Sequence, residues 1–214
     1  MPTVFTHAVV GWTVGRAFAP LLPPRLAPYV AATTAVFATI PDLDVIGFRF
    51  GIAYADPFGH RGATHSLSFA AVAATLGATI CILRWRLALR RDANRFEDEV
   101  LHESIAPNWL IVWGAVALAT ATHPLFDMLT NGGLGCALLA PWIWERMFFD
   151  WRPIPVAPIG LNMRVMTVLM YEMMMCWPLA LGALFVGRNL SAAKKLGLWM
   201  MGIAAAGVAS IALG

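Results

Sequence analysis

Residues 104–127 read SIAPNWLIVWGAVALATATHPLFD, and nothing between Glu103 and Asp127 is Asp, Glu, Lys or Arg. A bilayer core about 30 Å thick needs roughly 20 apolar residues of helix, so this stretch predicts a membrane-crossing helix. Its last turns carry two groups that hydrocarbon disfavours, His123 and Asp127. Working outward, the same signature recurs at Gly62–Leu83, between Arg61 and Arg84, at Leu196–Gly214 after Lys195, and at Val165–Gly187, broken only by Glu172. Two shorter apolar stretches come first, Thr3–Leu22 with Arg16 inside it and Leu26–Ile40, joined by a turn at Pro23 and Pro24. Counted as spans, they make an all-α, polytopic membrane protein of about six helices, a single membrane-embedded domain over residues 1–214.

The composition points the same way. The chain of 214 residues is 59% apolar and 13% charged, against about 45–50% and about 25% in an average soluble domain. Disorder, collagen and a disulfide scaffold are excluded. Cys81, Cys136 and Cys176 are odd in number, lack CxxC spacing and read as small buried hydrophobes. A net charge of +3 is too small and scattered to indicate nucleic acid, so the expected partner is the lipid bilayer. No basic region precedes the first apolar stretch, so that stretch is not read as a secretory signal.

The positive residues instead set orientation. In the six-span reading the loops 23–25, 84–107 and 188–195 hold Arg25, Arg84, Arg86, Arg90, Arg91, Arg95, Arg188, Lys194 and Lys195. The opposite side holds fewer, Arg49, Arg61, Arg146, Arg152 and Arg164. The positive-inside rule then makes 84–107 a charged cytoplasmic loop containing a surface helix, 131–164 an outer loop, and both termini external.

An ionisable group at membrane depth costs about 2.5–3.5 kcal/mol on insertion scales, and so needs a partner or a function. Here such groups gather on one side. His7 lies in the first turns, Asp42 and Asp44 in PDLD, His60 and His65 in GHRGATHS, His123 and Asp127 at the end of one helix, and Glu172 near the start of another. All fall in the outer half, whereas His102 lies in the charged loop. Imidazoles and carboxylates together suit zinc or another divalent metal. The i,i+4 spacing of His123 and Asp127 puts both on one helix face. Each residue also has a plainer reading: His7 as interfacial, Asp42 and Asp44 as turn or cap formers, and Asp127 and Glu172 as partners of arginines such as Arg61 or Arg164. Ion pairing leaves four neutral histidines unexplained. HExxH, a P-loop, GxSxG and the dinucleotide fingerprint are all absent.

PDLD at 41–44, GHRGATHSL at 59–67, HPLFDMLTNGG at 123–133 and WRPIPVAPIG at 151–160 resemble the membrane-bound metal-dependent hydrolases of the YdjM type. The resemblance implies a metal-dependent hydrolase in a bacterial inner membrane. A more distant likeness, in the order His, Asp, His, HxxxD, is to zinc-dependent phospholipase C and the P1-type nucleases. It implies ligands among His7, Asp42, Asp44, His60, His65, His123 and Asp127. No histidine follows Asp127, so one or two zinc ions are expected, with Glu172 as a replacement ligand.

The expected chemistry is hydrolysis of a phosphoester, a lipid one given the depth of the site, by a metal-activated water at the outer face. Whichever of Asp42 and Asp44 does not ligate is the expected general base, and Arg61 the expected holder of an anionic substrate group. The rival readings are a proton or metal-ion transporter and a non-catalytic membrane scaffold.

Overall fold

The computed structural model describes residues 2–93, 108–158 and 163–178. Within them the regular structure is helical: α1 is Val4–Ala17, α2 Ala27–Phe37, α3 Leu67–Ala93, α4 Trp109–Met128 and α5 Met163–Met175. Short 3₁₀ turns cover Ala19–Leu21 and Ala63–His65, and a longer 3₁₀ stretch covers Ile40–Phe50. The segment 129–158 has no strand, only isolated bridges pairing Thr130 with Ile154 and Cys136 with Met147.

Three segments are long and apolar enough to cross a membrane: Ala27–Phe50, Leu67–Arg91 and Trp109–Met128. The all-α membrane architecture is therefore as expected, but six full spans are not found among the described residues. The expected first span, Thr3–Leu22, contains a helix of only 14 residues, short of the roughly 17 a crossing needs. It stops before Pro20, which lies in the following 3₁₀ turn. The second is longer than expected. Pro41 lacks the N–H that would bond back to Phe37, so the chain tightens into 3₁₀ geometry and runs on to Phe50. Asp42 and Asp44 thus sit within a helical segment and not in a loop. At the other end of the molecule, 84–93 is not part of a loop with a separate helix. It continues α3, because no Gly or Pro interrupts a run of Ala, Leu and Arg after Gly77. Residues 94–107, the end of the Val165–Gly187 stretch, and Leu196–Gly214 lie outside the described residues.

The helices run alternately up and down, so α1, α3 and α5 start at the end where α2 and α4 finish. α1 lies close against α2 because Gly11 and Gly15, four apart, face it. A Cβ at Gly11 would come within 2.5 Å of the Ala38 Cβ and the Thr34 carbonyl, the small-xxx-small device by which membrane helices bring backbones together. Ser66 caps α3 by accepting the Phe69 amide at 3.0 Å, and Asn108 caps α4 by accepting that of Leu110 at 3.0 Å. Away from the polar end, Leu26, Val30, Ala78, Cys81, Trp85, Val112 and Ala115 form a dry core between α2, α3 and α4. Cys81, Cys136 and Cys176 are buried free thiols.

Candidate metal centre

Three elements deliver four polar residues to one point. The 3₁₀ stretch brings Asp42, the turn before α3 brings His65, and the last turns of α4 bring His123 and Asp127. One ligand atom from each lies within 4.8 Å of all the others. His65, His123 and Asp127 are 0% exposed and Asp42 6%. His65 Nε2 is 3.3 Å from Asp127 Oδ2 and 3.7 Å from Asp42 Oδ1, and His123 Nε2 is 3.3 Å from Asp42 Oδ1.

The hydrogen bonds around the cluster decide which atoms face inward. His123 Nδ1 is 2.7 Å from the Ala38 carbonyl; a carbonyl only accepts, so Nδ1 carries hydrogen and Nε2 is left with its lone pair when the ring is neutral. His65 Nδ1 is 3.2 Å from Asp44 Oδ2, the carboxylate–histidine arrangement that orients metal-ligating rings. The two Nε2 atoms are 3.1 Å apart. Two lone pairs at that distance repel unless a proton or a metal ion lies between them. Both Asp42 oxygens and Asp127 Oδ1 are buried without any hydrogen-bond partner, and such orphaned acceptors are rare in native interiors. The donor set of two imidazole nitrogens and two carboxylates fits a zinc-like ion.

Burial alone pushes His65 down, but the neighbouring carboxylates of Asp127, Asp42 and Asp44 outweigh it and lift its pKa to about 10.

The other expected residues are sorted by their contacts. Asp44 and His60 form a second group with His65, and it is already satisfied within the protein. Asp44 Oδ1 is 2.7 Å from His60 Nδ1, while Oδ2 accepts from Thr64 Oγ1 at 2.6 Å and from the Arg61 amide at 3.2 Å. His7 stacks on His123 with ring centroids 3.7 Å apart. Its orphaned Nε2 is 3.6 Å from Asp127 Oδ1, so it flanks the cluster. Glu172 is not brought to it. Its carboxylate accepts from the Thr3 amide at 2.8 Å, Thr3 Oγ1 at 2.5 Å and Thr6 Oγ1 at 2.7 Å, and so ties α5 to the start of α1.

Arg61, expected to hold an anionic substrate group, turns inward instead. Its side chain is 0% exposed and donates to Asp127 Oδ2 at 3.0 Å, the Gly132 carbonyl at 2.9 Å and Thr130 Oγ1 at 2.9 Å. Its backbone is left-handed, φ 65°, a conformation that costs about 1–2 kcal/mol in a non-glycine residue. Arg61 thus fixes one oxygen of Asp127 and leaves Oδ1 bare.

Sequence reasoning passed over several contributors. The Ala38 carbonyl and Arg146, which donates to the carbonyls of His60, Tyr54 and Asp56 at 2.8–3.0 Å, leave no sequence signal. Thr130 does leave one, being i+3 from Asp127 in the HPLFDMLTNGG block.

A family model described as YdjM inner membrane protein matches residues 1–211. The inner membrane protein YbcI of Escherichia coli is 36% identical over 183 residues, 83% of this chain and 91% of YbcI. No solved structure matches. The likeness to phospholipase C and the nucleases rests on residue order alone.

Proposed function

Because this chain belongs to the YdjM inner membrane protein family, and so to the bacterial inner membrane, we propose that it is a membrane-bound, metal-dependent hydrolase of phosphoesters. One observation carries the reading. Two histidine Nε2 atoms and the oxygens of Asp42 and Asp127 converge in a buried site where several acceptors have no donor, and a divalent cation satisfies all of them together. A single ion is the reading favoured over two, because the Asp44–His60 group already has its hydrogen bonds.

When bound, a zinc ion supplies a Lewis acid and lowers the pKa of water to about 7. The residues then divide the work. Asp42, His65, His123 and Asp127 hold the ion. Asp44 holds His65 in the ligating tautomer and is a positioning residue, since its oxygens are occupied. Arg61 orients Asp127 and offsets its charge. In this reading the cluster lies on the extracytoplasmic side, which the positive-inside distribution supports, with the bilayer itself as the source of a lipid phosphoester. A transporter is the weaker alternative: beyond the cluster the helices close over an apolar core of Leu26, Val30, Ala78 and Val112, which among the described residues offers an ion no polar exit.

The test is metal analysis of protein purified in detergent without chelator. About one divalent ion per chain is expected, lowered in His123→Ala and in Asp127→Ala, together with metal-dependent release of phosphate or alcohol from phosphoester substrates. Wild-type protein devoid of metal, or unchanged metal content in both variants, would overturn the proposal.

A further inference from the structure

At the end of the helices away from the cluster, α2 and α3 enclose a groove of about 400 Å³, within the range of small-molecule sites, about 300–1,000 Å³. Pro28, Ala32 and Val36, each one turn from the next, form the α2 rim, and Ile80 and Arg84 form the α3 rim. Phe37 and Cys81, both buried, close the floor. Helix geometry fixes the depth of the groove. Arg84 lies about 26 Å along α3 from its start at Leu67, near the far edge of a bilayer core of about 30 Å. The inner end is marked by Gly77, where a Cβ would come within 3.1 Å of the Phe37 ring, about 10 Å closer to the bilayer centre.

The groove therefore has an apolar interior and a cationic mouth. Arg84 is exposed, and among the described residues its guanidinium has neither an ion-pair nor a hydrogen-bond partner. Tyr29 lines the same mouth from the first turn of α2, and tyrosine concentrates at headgroup depth. Apolar walls alone select nothing in a membrane, because a lipid tail is as well solvated by the bilayer as by the groove. Selection has to come from the mouth, where a guanidinium pairs with a phosphate through two parallel hydrogen bonds. Basic pockets between membrane helices hold anionic headgroups in this way.

We propose that this groove binds one anionic phospholipid, with an acyl chain along Ala32, Val36 and Ile80 and the phosphate on Arg84. The site is separate from the metal centre and does not depend on the hydrolase reading. Its occupant is a lipid and not a soluble phosphate: the cation stands at the lip of an apolar channel, and only a molecule with a hydrocarbon chain fills both.

The test is native mass spectrometry of the whole chain released from detergent, titrated with phosphatidylglycerol and with phosphatidylcholine of the same acyl chains, whose choline cancels the phosphate charge. The first phosphatidylglycerol is expected to bind about fivefold more tightly than the first phosphatidylcholine, the factor that one cation provides. Arg84→Gln should abolish that preference, while Arg90→Gln, outside the groove, keeps most of it. Ala32→Trp fills the groove and should weaken the first binding event for both lipids. Arg84, Arg90 and Ala32 are all exposed, so none of these replacements opens the core. Equal binding of the two lipids by the wild type, an unchanged preference in Arg84→Gln, or undiminished binding in Ala32→Trp each overturns the site. Equal losses in Arg84→Gln and Arg90→Gln also overturn it, by assigning the preference to the basic end as a whole.

Discussion

At the scale of single residues, the two carboxylates of the cluster differ in how they are held. Asp127 shares one oxygen with Arg61 at 3.0 Å, so the ion-pair alternative is physically present and can be tested directly. If Asp127 existed only to neutralise Arg61, Asp127→Asn would be rescued by also replacing Arg61 with Met, because the unpaired buried charge would disappear. We expect no rescue of metal content in the double variant; recovery measured by metal analysis would favour the pairing network. His65 gives a pH dependence. Its pKa is raised to about 10 in the protein alone, and ligation requires the lone pair that the proton holds, so metal binding releases a proton. Affinity should rise about tenfold per pH unit between pH 6 and 8, read by competition with a chelating dye. The sign for stability is opposite: a raised pKa stabilises the metal-free fold fully below the unfolded value of about 6.5, and that contribution is lost as pH rises through about 10.

Among the elements, α5 and α1 are joined by one carboxylate. Glu172 satisfies three donors of Thr3 and Thr6 at the start of α1, the helix that presents His7 to the cluster. Glu172→Ala leaves those donors buried and unpaired, so it should destabilise the protein by about 2 kcal/mol or more while leaving bound metal unchanged. Thermal unfolding in detergent alongside metal analysis separates this tether from a ligand: loss of metal with unchanged stability would make Glu172 a ligand after all. The α1–α2 contact is equally specific. Gly15→Leu would push α1 off Ala31 and Thr34, with an expected cost of about 1–3 kcal/mol for overpacking in the same unfolding measurement.

Over the whole molecule, the basic end and the candidate metal centre are separated by the length of α3. His65 lies just before its first turn and Arg84, Arg86, Arg90 and Arg91 in its last turns, and a helix of 27 residues extends about 40 Å, more than a bilayer core. The proposed orientation, with the arginines in the cytoplasm as the positive-inside rule expects, is open to an accessibility test. Single cysteines at Phe58 and Trp144 should react with an impermeant thiol reagent added outside spheroplasts, and one at Arg90 only after permeabilisation. The reverse pattern would invert the protein and place the cluster on the cytoplasmic side.

The amino-acid sequence alone determined that the chain is helical and lives in lipid, because repeated charge-free runs as long as 104–126 match the bilayer core and can cross it only with their backbone hydrogen bonds closed within a helix. It also exposed the cluster, since a histidine or aspartate in such a run carries an energetic cost that marks it; His123 and Asp127, on one helix face, needed only their spacing. Which of the remaining groups join them was a tertiary decision. Asp42 and Asp44 are two residues apart in PDLD, and His60 and His65 share one loop, so no local pattern distinguishes ligand from support. The 3₁₀ path after Pro41 turns Asp42 to the cluster and Asp44 to His60, and the left-handed backbone at Arg61 draws its guanidinium inward to Asp127. Contacts between residues 66 apart in the chain, as for Arg61 and Asp127, arise only when helix ends are packed together, and they set which atoms keep a lone pair for a metal ion.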